Sequence, residues 1–108
     1  MNQYSIVFIT VSNIKEAKRI SNLLLKARLV ACVNIVKSIE SLFWWQGNID
    51  KAREALLIIK TRKKLFSKIC RLVKANHSYQ TPEIISFSLE NIDPGYRRWL
   101  DASIVKSS

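Results

Sequence analysis

One imidazole, two thiols and a run of cations carry whatever chemistry this chain can perform. His77 is the only histidine in 108 residues, so a Ser/His/Asp or Cys/His catalytic group would have to be built on it. No nucleophile elbow surrounds any serine. Cys32 and Cys70 lie in apolar runs without CxxC or Cys/His spacing, and they read as packed small hydrophobes rather than zinc ligands or a disulfide framework. Two glycines and two prolines are too few for a dinucleotide fingerprint or a Walker A loop. What remains is coordination, because neutral imidazole is a good ligand for Cu(II), Zn(II) or Ni(II). Glu83 could add an oxygen if the turn between them folds it back. The expectation is weak Cu(II) or Zn(II) binding, with no cofactor required, lost between about pH 7 and 5 as the imidazole protonates. The plainer reading of His77 is a surface cap after a helix, where the dipole favours its positive form.

Eighteen Lys and Arg against eight Asp and Glu leave a net charge of +10, which suggests an acidic partner. Lys60, Arg62, Lys63 and Lys64 cluster, and Lys68, Arg71 and Lys74 continue the run. They read as an anion or nucleic-acid surface or, more simply, as a solvated helix face. An RNA-recognition domain needs aromatic residues in a central strand, and the strand ALLIIKT has none. An acylphosphatase needs a Gly-containing anion loop after its first strand, where this chain has Val11-Ser12-Asn13. A basic nucleic-acid-binding module is therefore the rival function, with nucleic acid not the favoured partner. Short apolar runs and the start Met1-Asn2-Gln3-Tyr4 predict neither a membrane span nor a secretory signal, hence a cytoplasmic address.

The elements that must position these residues follow from periodicity. The β-branched run 6–11 predicts a buried strand. Asn13 offers a helix cap, with Glu16 placed to reach back to the cap's N–H. Ala17, Ile20, Leu24 and Ala27 then recur at helical spacing to about Arg28. A second strand spans 29–36 and continues, bent, through 42–45. Gln46-Gly47-Asn48 marks a hairpin turn, and the returning strand ends in 55–61. Phe66, Ile69, Cys70 and Val73 predict a second helix, closed at Asn76 because Asn tolerates the left-handed conformation. Pro82 precedes a fourth strand over 83–89. Asp93-Pro94 opens a short last helix anchored by Tyr96, Trp99 and Leu100.

This order, β-α-β-β-α-β plus a C-terminal helix, predicts one ferredoxin-like α+β domain over residues 1–105, with an antiparallel sheet and a loose tail at 106–108. Two helices cover one sheet face, yet the strands are apolar on both. Exposed Leu and Ile side chains favour association by roughly 1.5–3 kcal/mol each, which predicts a homo-oligomer packed through its sheets. Phe43, Trp44, Ile58 and Ile59 are the expected interface residues, since large aromatics at a hairpin tip call for a neighbouring subunit.

The segments ACVNI (31–35), SLFWWQGNI (41–49), LLIIKT (56–61), HSYQTPEII (77–85) and YRRWL (96–100) resemble the CutA divalent-cation tolerance family, in order and spacing from about Ser5 to Ile104. The resemblance implies a ferredoxin-like subunit in a tight homotrimer, sheets inward and helices outward, with a likeness to PII signalling trimers. It implies a non-enzymatic role in tolerance to copper and other divalent cations. His77 matches a histidine proposed as a metal contact, and Tyr79, Pro82 and Glu83 match the stretch after it, while Ser78 and Gln80 replace the commoner Pro and Glu. Trp45 and Lys60 match positions lining the inter-subunit cleft, to which Tyr79 also belongs. Many relatives carry a cysteine in the turn after the first strand. Val11 stands there in this chain, and valine cannot coordinate copper(I).

Overall fold

The computed structural model describes residues 3–104. Four strands and three helices alternate along it: β1 (Tyr4–Val11), α1 (Ile14–Lys26), β2 (Cys32–Trp45), β3 (Asn48–Arg62), α2 (Phe66–Asn76), β4 (Ile84–Ser88) and α3 (Pro94–Ser103), with a 3-10 turn, Lys63–Leu65, leading into α2. The strands form one antiparallel sheet in the order β2-β3-β1-β4. That is the ferredoxin-like arrangement, with α1 and α2 on one face. The predicted tail at 106–108 lies outside the described residues, as does the end of the predicted domain at 105.

Local sequence accounts for each boundary. The Asn13 side chain accepts from the Glu16 N–H at 2.8 Å and starts α1. Glu16 does not complete a reciprocal capping box; its carboxylate bonds one residue further back, to Ser12. The far end of α1 is a Schellman motif, with Arg28 N–H on Leu25 O, Leu29 N–H on Leu24 O, and Arg28 in the left-handed region at φ 60°. Gln46 (φ 50°) and Gly47 (φ 80°) form the two-residue β2–β3 turn, which needs positive φ at both positions. Asn76 closes α2 by donating its side-chain amide to Leu72 O, not by turning left-handed as predicted. Asp93 accepts from Gly95 and Tyr96 N–H to start α3 at Pro94.

Register decides which side of the sheet each residue serves. One row crosses it as Val33, Ile59, Val7 and Ser86, and the next as Asn34, Ile58, Phe8 and Ile85. The first row belongs to the face under α1 and α2, where Val7, Ile9, Val11, Ala55, Leu57 and Ile59 join Ile20, Leu24, Leu65 and Ile69 in the core. The second row belongs to an open face, where Ile6, Phe8, Leu56 and Ile58 are half-buried and Ile85 and Phe87 exposed. Ile59 therefore corrects its predicted place at a subunit interface. Its side chain is 0% exposed within its own subunit. Its neighbour Ile58 keeps the expected outward position. Of the three predicted anchors of α3, Leu100 is buried, whereas Tyr96 and Trp99 remain exposed and tilt against each other at 5.3 Å.

β2 and β3 run well past the other strands, paired from Ile39 with Glu54 out to Trp45 with Asn48. A register shift between Val36 and Ile39 separates this ribbon from the body of the sheet, a bulge of the kind that bends and twists a strand pair. Nothing among the described residues covers its tip, and Trp44 is 74% exposed.

Candidate functional site

The predicted site residues fall into three groups. The first lies where β1, α1 and the loop after α2 meet. Buried Glu16 accepts from Ser12 N–H (2.9 Å), Ser12 Oγ (2.7 Å), Ser78 N–H (2.7 Å) and Ser78 Oγ (2.9 Å). Burial by itself would raise its pKa, but the hydrogen bonds from Ser12 and Ser78 outweigh that and hold it at about 2. The loop of Ser78 is thereby tied to a residue 62 positions earlier in the chain.

His77 corrects its predicted role as a solvent-facing cap or metal contact. Its side chain is 0% exposed. Nδ1 lies 2.9 Å from the Tyr79 N–H and must accept from it, so Nε2 carries the proton and donates to Thr10 O at 2.8 Å. Both ring nitrogens are engaged by backbone, and neither presents a lone pair to an incoming metal. His77 instead fastens the loop to β1 and sets the path of the chain that carries Tyr79 and Glu83.

Tyr79 donates its hydroxyl to Glu54 Oε2 at 2.8 Å. Burial, then that bond and the charges of Glu54 and Glu16, push the phenol up to about 12. Desolvation and then Glu54 raise the carboxyl of exposed Glu83 above its ordinary value, so Glu54 and Glu83 share one negative region. Hard divalent cations favour such paired oxygens. The sequence offered no signal for Glu54, one acid among eight, and marked Glu16 only as a helix-cap partner; only the fold brings them to this loop. Among the described residues, no three His, Cys, Asp or Glu side chains converge within one subunit.

The second group sits on the open sheet face. Lys60 Nζ donates to Asn34 Oδ1 and lies 4.0 Å from Cys32 Sγ. Burial and then the neighbouring Cys32 raise the Tyr96 phenol. A cation, a thiol and a phenol therefore gather beside apolar Ile6 and Ile58. The third group, Phe43, Trp44 and Trp45, occupies the exposed ribbon tip. Within one subunit Trp45 and Lys60 stand on separate parts of the β2–β3 pair, one opposite Asn48 and the other opposite Cys32.

Known proteins share this arrangement. Residues 5–103 match the profile of the CutA1 divalent ion tolerance proteins. A chloroplastic rice protein called CutA 1 is 41% identical over 102 residues, covering 94% of this chain and 58% of the rice sequence. The chain likewise spans only 54% of a chloroplastic Arabidopsis relative. The Archaeoglobus fulgidus divalent-cation tolerance protein CutA is 40% identical over 94% of this chain and 98% of its own length. The crystal structure of rice CutA1 superposes with a TM-score of 0.94 at 40% identity, covering 97% of this chain and 96% of that one. The Thermus thermophilus protein gives 0.92 at 36%, over 94% and 99%. A structure of the Archaeoglobus protein is described as periplasmic, so a cytoplasmic address does not follow from the likeness. Among the described residues, no helix is long and apolar enough to cross a membrane. With sequence motifs, strand order and backbone in agreement over nearly its whole length, this chain belongs to the CutA1 divalent ion tolerance protein family.

Proposed function

We propose that this protein serves divalent-cation tolerance as a non-enzymatic homotrimer, taking up a cation or small ligand in the clefts between subunits. The open sheet face carries the reading. Ile6, Phe8, Leu56 and Ile58 lie half-buried there and Ile85 and Phe87 exposed, an apolar patch of the kind that favours association. Packing three such faces together would bury them, with Phe43 and Trp44 of the projecting ribbon reaching a neighbour. Trp45 and Lys60 would then approach each other from different subunits, an aromatic wall and a cation around one cleft. Tyr79 and Glu83, with Glu54, supply oxygens to its rim. Two carboxylates are too few to hold a divalent ion tightly, so water or a neighbouring subunit completes the set.

Sedimentation of the purified protein, combined with calorimetric titration of Cu(II), Zn(II) and Mg(II), tests both halves. A trimer is expected, with cation affinity at least about tenfold weaker in Glu54→Gln/Glu83→Gln, because hydrogen bonds and contacts to a charged carboxylate are the stronger ones. A stable folded monomer would overturn the assembly. Unchanged affinity in the double variant would overturn the site.

A further inference from the structure

The excess charge of this protein is concentrated in one layer. Residues 14–28 and 63–76, the two long helices with their flanking turns, hold ten of the eighteen Lys and Arg and a single acid, Glu16. Everywhere else eight cations, among them Arg62 of β3 paired with Asp101, meet seven acids, so nine of the ten surplus charges belong to the helix layer. Glu16 relieves it little at the surface, since that carboxylate is buried and bonded by Ser12 and Ser78. Lys15, Lys18, Arg19 and Lys26 are exposed on α1. Lys63, Lys64, Lys68, Arg71 and Lys74 are exposed on the 3-10 turn and α2. Among the described residues only Arg19 of these nine makes an ion pair, at 3.8 Å from Glu16.

Solubility needs no such segregation; both signs interspersed would serve it better. Lys64, Lys68, Arg71 and Lys74 follow one another at about a helical turn, near 5 Å of rise each. α1 packs beside α2, so the exposed cations of both helices share one outer face, on helix axes about 8–10 Å apart. The residues between the cations argue against a bilayer and against an unpaired strand. Leu25, at 38%, is the one large apolar side chain exposed on this layer, too little to anchor a helix face in a bilayer. No aromatic ring is exposed there to stack unpaired bases. Trp44, Trp45 and Trp99, the exposed indoles, all lie in the nearly charge-balanced part.

We infer that the outer face of α1 and α2 docks on the phosphate backbone of a nucleic-acid duplex. Binding is independent of sequence, because Lys and Arg on phosphates fix position and read no base. Charge placement supports this docking separately from the cleft and its cation.

Fluorescence anisotropy of the full-length protein with labelled DNA and RNA duplexes of about 20 base pairs is the direct measurement. With about four phosphate contacts, affinity should fall roughly 100-fold between about 50 and 200 mM salt. K64E/K68E/R71E should weaken binding at least tenfold and reduce the salt slope by about three. K37E/K51E/R53E changes the net charge equally but lies on the β2–β3 pair, and should cost less than about threefold if placement rather than total charge governs. K15E/K18E on α1 should weaken binding as well, which keeps the test open should the α2 variant fail to fold. The DNA and RNA arms identify which duplex is held. Failure to bind either at low salt, equal losses in the two triple variants, or binding to phosphatidylserine vesicles in place of duplex would each overturn the inference.

Discussion

Ile58 and Ile59 are adjacent and chemically identical, yet they belong to different parts of the molecule. Ile59 is sealed beneath α1 and α2 with Val7 and Leu57, whereas Ile58 sits half-buried beside Phe8 on the face turned away from α1 and α2. The same contrast runs along β3: Ala55, Leu57 and Ile59 point one way, Leu56, Ile58 and Lys60 the other. Two apolar faces on one sheet do different work. One folds the subunit, and the other is left for association.

Aspartate substitutions separate the two most sharply. Ile59→Asp places a carboxylate in a dry core with no partner, which should cost more than about 4 kcal/mol, a large part of the stability of a domain this size. Denaturant unfolding should find it unfolded or barely folded. Ile58→Asp should keep the fold by circular dichroism and lose assembly in sedimentation. Equal damage to folding from both would erase the distinction between the faces.

The helix side is also locked by charge, through Glu16. Its pKa is held at about 2 in the folded protein against an ordinary 4.5. The unfolded chain therefore binds the extra proton first as pH falls. The stabilisation is complete above the ordinary value and disappears as pH drops through 4.5 toward 2, a total on the order of 3 kcal/mol. Unfolding free energy measured against pH should show this acid-side loss, and Glu16→Gln should flatten it. A wild-type and variant profile that run parallel would remove Glu16 as its source.

The smallest effect on the subunit belongs to the ribbon. Trp44→Ala removes a side chain that its own chain hardly touches, so intrinsic subunit stability should move by no more than about 0.5 kcal/mol. Dissociation measured by dilution should shift instead. A large loss of stability in a monomeric background would mean that the tip packs on its own subunit.

Strands, helices and the Gln46-Gly47 turn were legible because each writes a short-range signal: β-branched runs, a 3.6-residue apolar spacing, and a dipeptide suited to positive φ. The ribbon's full length was not. Most of residues 37–41 and 48–53 are exposed, so burial imposes no clear pattern on them. His77 was misplaced for a different reason. A histidine after a helix reads as exposed, and what buries it is Thr10, 67 positions away, together with the Glu16 and Ser78 lock.

By itself the sequence determined the order of the elements, the caps at Asn13 and Asp93, the surplus of cations and the excess of apolar strand residues, since each depends on composition or on neighbours within a turn. The tertiary structure alone decided which of two isoleucines faces the helices, that the lone imidazole has no free nitrogen, that Glu54 joins Tyr79 and Glu83, and that nearly all of the positive surplus lies on one layer. Those outcomes depend on strand register and helix packing. A shift of one residue in register exchanges the two faces of a strand without changing a letter of its sequence.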